Sequence, residues 1–260
     1  MKKWSTLIIA STRYRTFSLL IILLLTGGVN NITKAQSVSK EVTDQYQTWV
    51  SINSVVRISG RWGAMADVHL RSNHFFESNS FFLLRVGGVY WLTDNTTLAA
   101  GYTSIEVAQA QQKRYPFSQG NWFYQQVQHS SKIGKVSLVS RLRNELRWQQ
   151  LIVKDSLDGV LFSNRIRLLV NCTIPVFHNY YFPALNIADE LMVQFGKDIV
   201  YNTFDQNRVF VGLKQNVSKT LSFDIGYMMV YQQRPSGYQY NRNHTFRWFF
   251  YYKPDLRKHN

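Results

Sequence analysis

From Gln45 onward, apolar and polar side chains alternate one for one along long segments of the chain. In Lys135 to Gln149 one parity reads Val136, Leu138, Ser140, Leu142, Asn144, Leu146, Trp148. The other reads Lys135, Ser137, Val139, Arg141, Arg143, Glu145, Arg147, Gln149. Successive side chains of a β-strand point to opposite faces, so this segment has one mostly apolar face and one charged face. Wound as a helix, the same charges would be scattered around the whole cylinder. The pattern recurs: Phe162, Ile166 and Leu168 oppose Arg165 and Arg167; Ala64, Ala66 and Val68 oppose Asp67, His69 and Arg71; Phe223, Ile225 and Tyr227 oppose Asp224.

Eleven such segments are readable, near 44–58, 61–73, 80–92, 96–107, 120–131, 135–150, 160–173, 181–195, 204–217, 220–234 and 241–252. Short connections, such as Ser59-Gly60, Thr93-Asp94-Asn95 and Ser218-Lys219, alternate with longer ones near 107–121, 151–159, 196–203 and 233–241. The expected fold is all-β: a transmembrane antiparallel up-and-down β-barrel of 10–12 strands, with short periplasmic turns and longer extracellular loops. Single-chain barrels of the bacterial outer membrane have even strand numbers, which favours twelve and a further strand near 37–43. No change of composition divides 36–260, which reads as one domain.

Three features favour a membrane barrel. The segments are longer than the roughly 5–6 residues usual in soluble sheets, and they reach the roughly 9–11 residues that a tilted strand needs to cross a bilayer. Arginine recurs in mid-strand, where a lipid-facing position would cost about 2–4 kcal/mol, so the arginine parity should face an enclosed interior. Aromatics gather near segment ends (Tyr90, Trp91, Tyr102, Trp148, Tyr180, Tyr181, Tyr231 and Trp248 to Tyr252), as interfacial girdles require. The alternative fold is a secreted soluble β-sandwich acting as a binding module, or a soluble barrel whose lumen is filled.

The N-terminus fits export. Lys2, Lys3, Arg13 and Arg15 precede an apolar run, Phe17 to Leu25, and Thr33-Lys34-Ala35 supplies small residues before Gln36. Residues 1–35 read as a signal peptide cleaved near Ala35/Gln36, because the apolar run is too short to span a bilayer. This places the mature chain in the outer membrane of a Gram-negative bacterium, in contact with lipid and lipopolysaccharide. The whole chain carries 30 Lys+Arg against 15 Asp+Glu, a net charge of +15. Removing the five basic residues before Gln36 leaves 25 against 15, still +10. The cations are dispersed along many strands and directed to one face, which argues against nucleic acid as the partner and for small anionic solutes. Lys113, Arg114, Arg234 and Arg242, near strand ends, are placed to meet lipopolysaccharide phosphates. The single cysteine, Cys172, precludes a disulfide framework and reads as a small apolar filler.

The inward parity collects Asp67, Arg71, Arg85, Arg141, Arg143, Glu145, Arg147, Arg165, Arg167, Glu190, Arg208 and Asp224. One reading is a structural network filling the lumen, in which each arginine is paired to offset its desolvation. The other is a route or site for small anions, since arginine rings select for them. An outer-membrane enzyme that hydrolyses or modifies lipid is a further alternative, with His129-Ser130-Ser131 its nearest approach to a catalytic group. No cofactor is expected. Asp67 and His69 share a face but are too few for a metal site, and the same-face Asp67/Arg71 pair accounts for Asp67. Asp189 and Glu190, as strand neighbours, should point to opposite faces.

The chain resembles the DUF2490 family of uncharacterised, exported β-barrel proteins of Gram-negative bacteria. The matching pieces run in order through Gln47-Thr48-Trp49, Asp67 with Arg71, Arg85-Val86-Gly87 with Tyr90, and Gly101-Tyr102. They continue through Arg141-Leu142-Arg143-Asn144-Glu145-Leu146-Arg147, Asn164-Arg165-Ile166-Arg167, Ile174-Pro175, Glu190, Asn207-Arg208 with Gly212, and Gly226-Tyr227. Where family members often carry an acidic and a basic residue before the fifth strand, this chain has Asn121-Trp122. The resemblance implies an outer-membrane barrel and supplies no activity.

Overall fold

The computed structural model describes residues 39–109, 117–154, 156–177, 179 and 181–257. The signal peptide and its cleavage point, the loop cations Lys113 and Arg114, and Tyr180 lie outside the described residues. Eleven strands form in chain order: β1 (Glu41–Arg57), β2 (Trp62–Asn73), β3 (Ser78–Thr93), β4 (Thr96–Ala108), β5 (Phe117–Ile133), β6 (Val136–Val153), β7 (Ser156–Pro175), β8 (Ala184–Phe195), β9 (Phe204–Asn216), β10 (Leu221–Gln233) and β11 (Gln239–Tyr252). Each pairs antiparallel with the next, and the sheet closes on itself through β1 and β11.

All eleven segments of alternating character are strands. The favoured count of twelve is not met: the region near 37–43 supplies the beginning of β1, which starts at Glu41, and no separate strand among the described residues. Closure follows from the odd number. Every hairpin reverses direction, so the first and eleventh strands run the same way and must meet in parallel. They do so from Glu41↔Gln239 to Ser54↔Tyr252. A parallel ladder is slightly weaker per residue than an antiparallel one, and further bonds prolong this seam. The Arg57 amide donates to the Pro254 carbonyl at 3.1 Å, and the Leu256 amide donates to the Arg57 carbonyl at 2.8 Å. The Arg57 guanidinium reaches Asp94 in the β3–β4 turn at 2.8 Å. That hydrogen bond holds the Asp94 carboxyl below its ordinary range.

The expected longer loop at 151–159 is a tight turn. β6 and β7 run on through Val153 and Ser156, with a register shift between Gln150 and Ile152 that absorbs the change in twist. The β8–β9 connection, 196–203, is a longer loop as expected.

The barrel is apolar outside and polar inside. Ile52, Leu84, Val86, Phe123, Leu142, Val160 and Leu213 are exposed on the outer wall, while buried polar and charged side chains outnumber buried apolar ones among the described residues. Aromatic neighbours lie on the outer face toward both ends. Tyr102–Phe123, Phe123–Trp148 and Trp148–Phe162 make one chain of ring contacts, and Trp62–Tyr90 and Phe223–Phe250 lie toward the opposite end. Cys172 sits half-buried on the outer parity of β7. Inside, Tyr124 of β5 packs its hydroxyl over Gly87 and Gly101, which face each other across β3 and β4. A Cβ at Gly101 would lie 2.1 Å from the Val86 carbonyl oxygen and 2.9 Å from the Tyr124 hydroxyl, whereas one at Gly88 meets nothing within 4 Å. Gly101→Ala should therefore cost about 1–3 kcal/mol through overpacking. Gly88→Ala should stay within about 0.5 kcal/mol of the parent. The temperature at which the compact folded band converts to the unfolded one on a gel measures both.

Candidate functional site: an arginine-rich lumen

The inward parity of the strands lines a lumen cavity of about 730 Å³. Of the twelve residues expected inside, eleven line that cavity, and the twelfth, Glu145, is buried in its wall. The strand pattern dictates this. Arg141, Arg143, Glu145 and Arg147 alternate on β6, and Arg165 and Arg167 alternate beside them on β7.

Register then decides the pairs. Glu145 stands directly opposite Arg165, while Arg143 stands directly opposite Arg167. Two like charges in that position repel, and Glu145 resolves the conflict. It accepts from Arg165 through both Nε and Nη2, accepts from Arg167 Nη1 at 2.8 Å, and lies 3.7 Å from Arg143 Nη1. Gln126 takes the remaining face of Arg143, accepting from its Nε at 2.8 Å and Nη2 at 2.6 Å. Arg143 and Glu145 are each only 1% exposed, so neither charge is screened by bulk water.

From Glu145 the network spreads both ways. Arg167 donates to Glu190 of β8, which also receives Arg141 at 2.8 Å and Arg208 at 3.3 Å. Arg165 donates to Asp205 of β9 at 2.9 Å, with Arg147 at 3.9 Å from the same carboxylate. Six arginines thus share three carboxylates along one wall, β6 to β9. Rings complete their surroundings: Trp122 lies under Arg165 at 4.9 Å and Arg147 at 5.7 Å, and Tyr124 lies near Arg143 at 5.2 Å and Arg85 at 5.4 Å.

Two smaller pairs occupy the other wall. Asp67 binds Arg85 at 3.0 Å, not Arg71 as its parity partner suggested. Residues four apart on a strand stand roughly 13 Å from each other, whereas directly opposed cross-strand residues are about 5 Å apart. Asp67 and Arg85 are such an opposed pair. Asp224 receives Arg247 at 2.8 Å and the Tyr251 hydroxyl at 2.7 Å.

Four charged residues of the lumen were not among those expected there: Asp205, Lys214, Arg247 and Lys253. Asp205 and its neighbour Gln206 both face inward, because the ladder shifts register between Met192 and Val193. Arg247 sits where β11 turns aromatic on both parities, from Phe246 to Tyr252. Lys214 shares the parity of Arg208 and was readable from it. The structure separates other groupings. His129 faces outward and its Nδ1 lies 2.9 Å from the Thr96 hydroxyl, whereas Ser130 lines the lumen, so the two do not form a dyad. Asp189 faces outward and accepts from Asn207 at 2.6 Å, while Glu190 faces inward. Asn121 and Trp122 lie within β5, Asn121 outward beside Tyr102 and Trp122 inward.

Among the described residues, Glu145 is the carboxylate that lies within ion-pair distance of both Arg143 and Arg167. Glu145→Gln should destabilise the barrel by about 3–5 kcal/mol, the range for removing one partner of a buried ionic group. Urea unfolding of the purified protein reads this directly, and Glu41→Gln at the exposed strand end should leave the midpoint in place.

A family model described as "Protein of unknown function (DUF2490)" matches residues 46–241. No curated protein and no solved structure matches the chain. The family match runs from β1 into β11 and takes in every lumen arginine except Arg247, so the chain belongs to the DUF2490 family.

Proposed function

We infer that this protein is a non-enzymatic outer-membrane β-barrel, exported by its signal peptide, whose lumen binds or passes small anionic solutes. The observation that carries this reading is the division of the two faces. An apolar wall surrounds a cavity lined by eleven cationic side chains and four carboxylates, with Glu145 buried as a fifth. Its volume lies in the range of small-molecule sites. The shortest strands, of 12 residues, rise roughly 30 Å along the axis at a usual tilt of about 40°. That matches an apolar band of about 25 Å flanked by aromatics. The arginines leave open volume between them, which favours a site or route for anions over an interior that is only filled.

Embedding predicts cell-envelope behaviour. The full chain should fractionate with outer membranes and show heat-modifiable migration; recovery in the soluble periplasm without detergent would overturn the reading. In a Cys172→Ser background, Ser236→Cys in the β10–β11 loop should react with a membrane-impermeant maleimide on intact cells. Lys219→Cys in the β9–β10 turn should react only after the outer membrane is permeabilised. Refolded protein in planar bilayers should give anion-biased steps, and Arg143→Ala with Arg165→Ala should abolish the bias. A folded but silent barrel that binds no anion would leave the arginine network a structural role alone.

A further inference from the structure

Arg71 is unlike the other lumen arginines. It projects into the cavity from β2 and has no carboxylate within ion-pair distance among the described residues. Its guanidinium lies over two rings instead, 3.7 Å from the centre of Trp49 and 3.9 Å from that of Phe81. Ring faces attract the cation but accept none of its N–H groups in the plane of the fork. Its Nε is buried without a hydrogen-bond partner. Two residues along the same face, His69 presents a buried Nε2 that is likewise unpartnered.

A second guanidinium shares the Trp49 ring: Arg208 of β9, 4.8 Å from its centre. The carboxylate nearest Arg208, Glu190, is already committed. It accepts from Arg141 and Arg167 at 2.8 Å and reaches Arg208 only at 3.3 Å. Around Trp49 there is therefore one arginine with no counter-charge and a second whose counter-charge is divided three ways.

The geometry points to a binding site for a phosphate-type dianion in the lumen at Trp49, held by Arg71 and Arg208 with His69 as a further donor. This rests on the reading of the lumen as an anion-accepting compartment and names its ligand class. The Arg fork matches two oxygens of an oxyanion with parallel, charge-assisted bonds. A tetrahedral phosphoryl group offers oxygens in three directions, suiting donors on β2 and β9 at once, whereas a planar carboxylate offers two in one plane. Its double charge also answers two cations where chloride answers one. Inorganic phosphate and a phosphate monoester carry the same recognised group. Comparing them shows whether the rest of the cavity accepts an organic remainder.

Trp49 makes the site readable. The full-length mature chain, folded in detergent, is titrated with inorganic phosphate, glycerol phosphate, acetate and chloride at constant ionic strength. Binding is followed by calorimetry and by the tryptophan emission that Trp49→Phe removes. Saturable binding of both phosphates, with acetate and chloride weaker, is expected. Arg71→Met should weaken phosphate binding by at least about tenfold, the loss of one charge-assisted bond. Arg71→Lys, which keeps the charge without the fork, should fall between. Undiminished binding by Arg71→Lys and Arg71→Met, each with normal heat-modifiable migration, would overturn the site. So would a flat phosphate titration of the parent. A parent that is flat to phosphate yet still anion-selective in bilayers would remove this site and leave the lumen reading standing; loss of both would remove both.

Discussion

A guanidinium withdrawn from water must find acceptors, and in this barrel one carboxylate does so for several arginines at once. Glu145 touches Arg143, Arg165 and Arg167, and Glu190 touches Arg141, Arg167 and Arg208. Arg167 belongs to both sets and joins them. Such sharing is possible only because β6, β7, β8 and β9 are successive strands of one sheet, with their inward side chains at matched heights. The arrangement also fixes the register. A slip of one residue between β6 and β7 would turn one set of charges onto the outer wall and separate Glu145 from Arg165. Broad hydrophobic patterning aligns the strands, and the ionic network penalises the neighbouring alignments.

Much of this was legible in the chain because strand parity is a strong signal when one face is apolar and the other carries arginine. The run Arg141, Arg143, Glu145, Arg147 identifies both a strand and its inner face, and all eleven strands follow from the same rule. Parity does not say which residues meet across strands, which is why Asp67 was matched with Arg71 rather than Arg85. It fails where a bulge intervenes: Asp205 is the extra residue of β9 at the β8–β9 irregularity and points inward beside Gln206. It is also blind where both faces are aromatic, as around Arg247. The tight β6–β7 turn was read as a loop because Lys154 to Gly159 contains turn-forming residues, although Ser156 and Leu157 already pair with Val153 and Ile152.

The odd strand number bears on how the barrel closes. The seam joins residues nearly two hundred positions apart, as in the Asp44–Arg242 ion pair, and none of its ladder can form until the chain has brought its ends together. Contacts of such long sequence separation carry the loop-closure cost last. The parallel seam also places the beginning of β1 and the end of β11 at opposite ends of the barrel. Arg57 reinforces the end at which β11 finishes, through its backbone contacts with Pro254 and Leu256 and its side-chain contacts with Asp94 and Trp91.

Charge balance separates the two uses such a lumen could serve. An interior built only to be filled is most stable when each buried cation has its own carboxylate, since each unanswered charge retains its desolvation cost. The β6–β9 wall sets six arginines against three carboxylates, and Arg71 on the facing wall lies over two aromatic rings with no carboxylate within ion-pair distance among the described residues. The Nε atoms of Arg71, Arg141, Arg147 and Arg247 are unpartnered, as are the lumen acceptors Asp224 Oδ1 and Asn243 Oδ1, so the wall does not use up its own hydrogen-bonding groups. Hydrogen-bond capacity and charge are thus in surplus on the same side chains and open onto the same cavity. Water can satisfy the first surplus, but only an anion satisfies both. The proposed anion site follows from that imbalance: a solute bound there would supply the counter-charge that the wall leaves out.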